Sequence, residues 1–259
     1  MSVAGLALIG ATGFVGGNLG RRMPFDDRYD STNIDSIRGR CYELVVCSGA
    51  RADKWRINAE PETDRADLAR LRAALAEVET RRLLLISTVD VYPEPVGVDE
   101  ESLIELDALA PYGRHRLELE QWCEARFDTL TVRLPGLFGP GLKKNVVFDL
   151  LHDHRVEHVD PRSRFQLFDV RRVWDAAEAA WRSGLRRLNV TAAPISAGEI
   201  AREVFGLELL PQAGSFPAYD VRSRHAALFG GRGGYLVGRA ETLTALKRFV
   251  ADERRRRAA

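Results

Sequence analysis

Cysteine is scarce in this chain. Cys41, Cys47 and Cys123 are the 3 thiols among 259 residues, an odd number with no C-x-x-C pair. That excludes a disulfide framework and a zinc knuckle, and it fits a reduced, cytoplasmic compartment. A charge excess is missing too. The formal net charge is +1 with 29% charged residues, so no global field draws the chain to nucleic acid or to a membrane surface. Lysine occurs only at Lys54, Lys143, Lys144 and Lys247; the other cations are arginine, a bias from which no function follows. No apolar run approaches the ~18 residues of a membrane span, and no basic stretch precedes a long apolar one near Met1, so neither insertion nor export is expected. Internal repeats and low-complexity linkers are also absent. With 45% hydrophobic residues, the chain is long enough for one large or two unequal domains around a substantial core.

What is present begins with glycine. The apolar run Leu6-Ala7-Leu8-Ile9 leads straight into Gly10-Ala11-Thr12-Gly13-Phe14-Val15-Gly16. The order reads as a buried strand, a tight turn and a helix start, an arrangement that cradles a dinucleotide pyrophosphate on backbone amides. Gly10 suits the angles of the turn, Gly13 a close approach to phosphate, and Gly16 tight packing of helix on strand.

Strands and helices then alternate. A helix is expected from Phe14 to about Met23, a polar strand over Tyr29–Asn33, and a strand over Leu44–Cys47. A helix from about Thr63 to Val78 carries Leu68, Leu71, Leu75 and Val78 at intervals of three and four. Leu83–Ile86 and Leu130–Leu134 are short and nearly all apolar, as expected of strands covered on both faces. This alternation predicts an α/β fold with a Rossmann-type, doubly wound parallel sheet. Beyond Gly136 the pattern is less regular. Val173–Trp181 reads as a helix, Leu188–Val190 as a short strand, Ser196-Ala197-Gly198-Glu199 as a capping box, and the last helix runs from about Ala240 to the basic stretch Arg254–Arg257, a solvated end. The expected division is a dinucleotide-binding core over 1–140 with returning segments at about 165–193, and a smaller substrate-binding region over 141–164 and 194–259.

A second constellation follows the strand ending at Ile86. Ser87-Thr88-Val89-Asp90-Val91-Tyr92 places hydroxyls at the carboxyl edge of the sheet, where ligands of open α/β sheets bind. Further on, Tyr112-Gly113-Arg114-His115-Arg116 opens a helix on which Tyr112 and Arg116, four apart, share a face. A fixed cation beside a phenol favours its phenolate. Such a tyrosine can exchange a proton with a substrate hydroxyl while a threonine orients the oxygen.

These landmarks, with Leu44-Val45-Val46 and Arg133-Leu134-Pro135-Gly136-Leu137-Phe138-Gly139-Pro140-Gly141, resemble in order the extended short-chain dehydrogenase/reductases, the group of nucleotide-sugar epimerases, dehydratases and reductases. The resemblance spans about residues 3–205. It implies a domain holding NAD or NADP, a smaller carboxyl-terminal region over a sugar-like or nucleotide-sugar substrate, and a catalytic set of Thr88, Tyr112, Arg116 and Asp90. Thr88 matches the family's catalytic serine or threonine and Tyr112 its acid/base. Arg116 stands where the family has lysine; it keeps charge and donors but is effectively never deprotonated. Asp90 matches one of the two acids of the sugar dehydratases, the other being Val89 here. Gly136 stands where many relatives place a substrate-contacting asparagine. Cofactor contacts are implied at Gly10, Thr12, Gly13, Phe14, Val15, Gly16, Asn33, Gly49, Ala50, Ser87, Tyr112, Arg116 and Pro135.

An NAD-selective site carries a carboxylate at the end of the second strand, about 20 residues past the glycines. Ser31-Thr32-Asn33, flanked by Asp30 and Asp35, leaves open which side chain meets the ribose, and its hydroxyls and amide tip the expectation to NADP. His152, His154 and His158 do not have zinc spacing, so no metal is expected. Arg162, Arg164, Arg171 and Arg172 surround Phe165–Phe168, where relatives bring basic side chains toward a diphosphate. Three functions are weighed. The first is an NAD(P)-dependent enzyme acting on a hydroxyl or keto carbon of a sugar-like, nucleotide-linked substrate. The second is an NAD(P)-binding regulator or scaffold in which catalysis has lapsed. The third is an interaction module that homodimerises through the last helix.

Overall fold

The computed structural model describes residues 4–214 and 216–258. Two compact units make up the chain: residues 1–94, 101–134 and 173–188 form one, and 95–100, 135–172 and 189–259 the other.

The first unit is built on a six-stranded sheet. Its strands are β1 (Ala4–Ile9), β2 (Asp27–Tyr29), β3 (Cys41–Cys47), β4 (Glu79–Thr88), β5 (Thr129–Leu134) and β9 (Arg187–Asn189), in the order β2-β1-β3-β4-β5-β9. Pairing is parallel from β2 through β5. The chain passes from β2 to β3 through a single short turn at Ile34–Ile37 with no intervening helix, and β3 lands on the far side of β1. The strand order therefore reverses between β1 and β3, and the crevice outside their carboxyl ends is where such sheets take ligands. Ile9 pairs with Tyr29 on one side and Cys47 on the other. Gly10, Asp30 and Ser48 consequently leave the sheet at one level.

Helices cover both faces. Ala7, Ile9, Val45, Cys47, Leu83 and Leu85 join a core completed by α3 (Pro61–Leu75) and α4 (Pro111–Arg126) through Leu68, Leu71, Leu75, Leu119 and Cys123. On the other face Leu8 lies against α1 (Phe14–Arg22), which ion-pairs with α6 (Val173–Arg182) through Arg22 and Asp175 at 2.9 Å. The expected strands and helices of this unit appear with one difference. The strand predicted over Tyr29–Asn33 ends at Tyr29, because Asp30 Oδ1 accepts the Thr32 amide and Asn33 Oδ1 accepts the Asp30 amide. Local side-chain acceptors there outcompete a ladder. A short helix not read from the sequence, α2 (Lys54–Ala59), follows β3.

Strand β5 is buried throughout yet half polar. Its alternation turns Thr131 and Arg133 toward α4, where Thr131 donates to Glu124 at 2.8 Å and Arg133 Nη2 donates to Glu120 at 2.6 Å. Arg133 also donates to the Tyr92 hydroxyl, and Glu120 accepts from Ser87 Oγ. Glu120 and Arg133 are almost fully buried, so each keeps its charge through the other.

The second unit has its own core of Phe138, Val147, Leu150, Leu167, Ile195, Ile200, Leu246 and Phe249. It comprises the two-stranded pairs β6 (Gly136–Phe138) with β8 (Leu167–Asp169) and β7 (Arg164–Phe165) with β10 (Ile195–Ser196). Its helices are α5 (Val146–His152), α7 (Ala197–Ile200) and α8 (Arg239–Ala258). The Ser196 hydroxyl accepts the Glu199 amide, as the capping box requires. No helix among the described residues is long and apolar enough to cross a membrane.

The Glu120–Arg133 pair generates a test. Glu120→Gln leaves an uncompensated guanidinium in the core and is expected to cost about 3–5 kcal/mol in denaturant unfolding, most of it recovered when Arg133→Met is added.

Candidate active site

The turn after β1 takes the shape its glycines permit. Gly10 has φ +82°, and a Cβ there would lie 2.3 Å from the Ser48 carbonyl oxygen. A Cβ on Gly16 would lie 2.1 Å from the Gly10 carbonyl, so α1 rests directly on the turn. No side chain caps α1, whose first residues are Phe14 and Val15. An uncapped helix start behind a glycine cradle at the sheet's reversal point fits a dinucleotide diphosphate, since the amides and the helix dipole both favour an anion. Gly49 packs against β1, its Cβ position being 2.9 Å from the Ile9 side chain, and Ala50 lies against the core. The Asn33 side chain is engaged within its own turn, donating to the Arg28 carbonyl and accepting from Asp30. Asp30, the residue next after β2, therefore presents the carboxylate at that strand end, and its hydrogen bonds from Thr32 hold its carboxyl below the usual range.

At the end of β4, Thr88 caps a short turn by accepting the Asp90 amide at 3.1 Å. Helix α4 comes close enough to this turn that a Cβ on Gly113 would sit 2.3 Å from the Asp90 carbonyl oxygen. Glycine alone allows that approach, and it carries the start of α4, with Tyr112, up to the Thr88–Asp90 turn. Asn58 of α2 fixes the helix start by accepting the Tyr112 amide at 2.9 Å, replacing a cap that Ala110 cannot supply. Burial pushes the phenol above its ordinary range. The charge of Arg116, the Thr88 hydrogen bond and the charge of Lys54 pull it down, while Asp90 pushes it up.

Arg116 is committed elsewhere. Its guanidinium makes a bidentate pair with Asp64 of α3, at 2.8 and 2.9 Å, and donates to the Arg51 carbonyl. Both side chains are buried, 3% and 2% exposed, and His115 Nδ1 shares the Asp64 carboxylate at 2.7 Å. The guanidinium carbon lies 4.7 Å from the Tyr112 ring centroid. Burial alone would raise the Asp64 carboxyl, but the Arg116 hydrogen bonds and charge override it and leave it below its usual range. Asp90 pairs with Lys54 Nζ at 2.7 Å. Ser87 directs its hydroxyl to Glu120.

The structure thus brings together Thr88, Asp90, Tyr112 and Arg116 within the first unit, and separately Gly10, Gly16, Gly49 and Asp30 at the β1–β3 edge. Thr12 lies in the turn between Gly10 and Gly13. Pro135 and Gly136 fall in the second unit, where a Cβ on Gly136 would lie 3.0 Å from the Gln166 carbonyl oxygen and 3.1 Å from the Leu167 side chain, so that a side chain there would require its neighbours to shift. The arginines of that unit are engaged: Arg162 with Asp160, Arg171 with Asp169 and Arg172 with Glu241, at 2.5–2.7 Å, while Arg164 is exposed. His152 stacks on Phe148 and meets Arg257, His154 pairs with Asp149 and His158 with Glu157. Among the described residues no three metal-ligating side chains gather.

Lys54, Asn58, Asp64 and Gly113 were not singled out from sequence. Asp64 carried a signal: with Leu68, Leu71 and Leu75 it continues the buried stripe of α3 at helical spacing, and a carboxylate on such a stripe needs a cationic partner inside.

Fold and turn define an α/β enzyme of the dinucleotide-binding kind. The model of the NAD dependent epimerase/dehydratase family matches residues 30–182, more than half the chain. No curated protein sequence matches. Among solved structures, the UDP-glucose 4-epimerase of Thermotoga maritima, determined with UDP-glucose, is 15% identical with a TM-score of 0.74, covering 97% of this chain and 99% of its own. A dTDP-4-dehydrorhamnose reductase from Clostridium acetobutylicum is 14% identical at a TM-score of 0.75, covering 97% of this chain and 100% of its own. RMD from Pseudomonas aeruginosa, complexed with NADPH, is 19% identical at 0.74, covering 96% and 99%. At these identities the likeness is one of fold. The chain belongs to the NAD-dependent epimerase/dehydratase family, whose members are NAD(P)-dependent enzymes of the short-chain dehydrogenase/reductase type.

The Asp64 carboxyl sets a pH dependence. Its folded pKa is depressed, so its contribution to stability is present above the ordinary carboxylate range and lost as pH falls through the folded value. Asp64→Asn is expected to cost about 3 kcal/mol or more at neutral pH, with the gap to wild type narrowing in acid, read from denaturant unfolding across pH.

Proposed function

We propose that this enzyme moves hydride between a nicotinamide dinucleotide and a hydroxyl or keto carbon of a sugar-like, nucleotide-linked substrate, with Tyr112 as acid/base and Thr88 as the oxygen-orienting hydroxyl. The observation that carries this reading is the close approach of α4 to the Thr88–Asp90 turn, which sets Tyr112 beside Thr88 at the carboxyl edge of the sheet that also ends in the glycine cradle. Two of the solved structures support the substrate class: the Thermotoga maritima epimerase was determined with UDP-glucose, and the Clostridium acetobutylicum protein is a dTDP-4-dehydrorhamnose reductase.

Gly10, Gly13 and Gly16 would let the diphosphate reach the amides of Phe14 and Val15, with Thr12 beside them. Gly49 and Ala50 would line the adenosine side, and Ser87 completes the proposed contacts of this unit. When bound, the dinucleotide supplies or accepts the hydride. Tyr112 gives its proton to the substrate oxygen in reduction, becoming phenolate, and as phenolate takes the hydroxyl proton in oxidation, while Thr88 holds that oxygen. Arg116 backs the phenol ring and fixes its position through Asp64. Asp90 is tied to Lys54, and Val89 replaces the second acid, so dehydration is the less favoured outcome; oxidoreduction or epimerisation fits the remaining groups.

The sequence alone tipped the cofactor expectation toward NADP. Geometry supports NAD instead, since Asp30 stands at the β2 end with a carboxylate that accepts ribose hydroxyls and repels a 2′-phosphate. Calorimetric titration is expected to give tighter binding of NAD than of NADP, and Asp30→Ala to narrow the difference.

Tyr112→Phe is expected to lower kcat on a turned-over nucleotide sugar by about 10²–10⁴-fold with dinucleotide binding retained. Retained binding with turnover unchanged would instead favour a scaffold in which catalysis has lapsed, the reading that the Asp64-bound Arg116 keeps in view.

A further inference from the structure

In the arrangement that the resemblance implies, the residue four after the tyrosine is a lysine whose charge serves the phenol. Here that position is Arg116, and its guanidinium is closed into a buried ion pair with Asp64. The Asp64 carboxylate offsets part of the charge that this guanidinium presents to the phenol ring 4.7 Å away. The phenol nevertheless faces an acid, because Asp90 lies just behind Thr88, its Oδ2 at 3.4 Å from the Thr88 hydroxyl. An unmasked carboxylate there would oppose any negative charge forming on Tyr112.

We propose that Lys54 is a second cation serving Tyr112, beside Arg116: brought in by α2, it binds Asp90 and offsets that carboxylate, so that the neighbouring Thr88 and Tyr112 hydroxyls can carry negative charge as the proton moves. Lys54 Nζ lies 2.7 Å from Asp90 Oδ1, Asp90 Oδ2 lies 3.4 Å from the Thr88 hydroxyl, and the approach of Gly113 to the Asp90 carbonyl sets Tyr112 beside this turn. Four elements contribute: α2 the ammonium, the turn after β4 the carboxylate, β4 the hydroxyl and α4 the phenol. The charged groups acting on Tyr112 are Arg116 on its own helix, itself tied to Asp64 of α3, with Asp90 and Lys54 opposite.

Lys54 places a compact ammonium on a flexible stem against the Asp90 carboxylate, with its side chain 46% exposed. Lys54 is a positioning and charge-compensating residue; it acts through Asp90 and Thr88.

This inference rests on the reading of Tyr112 as acid/base, and its test does not need that reaction to run. A difluorotyrosine placed at position 112 ionises within the pH range of the folded protein, and its fluorine resonance reports the midpoint without dinucleotide or substrate. Lys54→Met is expected to raise that midpoint by about one pH unit. Lys54→Arg should hold it near wild type, and Lys54→Met with Asp90→Asn should return it most of the way. In turnover, Lys54→Met should lower kcat about tenfold at neutral pH and regain it as pH rises, with KM little changed. An unchanged midpoint in Lys54→Met, or a double variant as shifted as the single one, overturns the proposal. A shifted midpoint in a protein that turns over no nucleotide sugar would leave the inference standing and count against the reaction instead.

Discussion

The site depends on the approach of α4 to the turn that follows β4. The Asp90 carbonyl oxygen occupies the space a side chain at position 113 would need, and only glycine lets the helix close that distance. Once it is closed, Tyr112 reaches Thr88, Asn58 holds the first turn of the helix, and the buried face of α4 meets β5. Tyr112, Arg116 and Glu120 lie one above another on that face. One helix thereby anchors the phenol, the ion pair behind it and the polar network beneath it.

Charge inside this unit is arranged in closed pairs. Glu120 with Arg133 and Asp64 with Arg116 are buried and mutually satisfied, so neither leaves an orphan charge in a low-dielectric interior. Lys54 with Asp90 is the more exposed pair, and it is the one adjoining the Thr88 hydroxyl. Exposed pairs contribute little to stability, which leaves this one available for tuning. Arg116, four residues after the tyrosine, is thus tied to the carboxylate of α3, while the lysine of α2 meets Asp90.

Much of the fold was legible because its signals are periodic. The apolar runs of β1, β3 and β4 and the leucine stripe of α3 announce themselves through burial on two faces or one. The second strand was overrun because Asp30 and Asn33 bind backbone locally, a competition that polarity alone does not reveal. The glycine turn and the order of Thr88, Tyr112 and Arg116 were readable as a linear pattern. What pairs with each was not: Asp64 is 52 residues from Arg116 and Lys54 is 36 from Asp90. Contacts at that separation follow from how helices pack on the sheet, and no local spacing records them. The carboxylate on the α3 stripe was the exception, a buried acid advertising a buried base.

The account's central claim is that the glycine turn and Tyr112 serve one bound dinucleotide. A crystal structure of the protein with NAD tests it most directly. The diphosphate should rest on the amides at the start of α1, the adenosine ribose on Asp30, and the nicotinamide end should reach the Tyr112 phenol. A diphosphate bound away from that turn, or a nicotinamide out of reach of Tyr112, would contradict it.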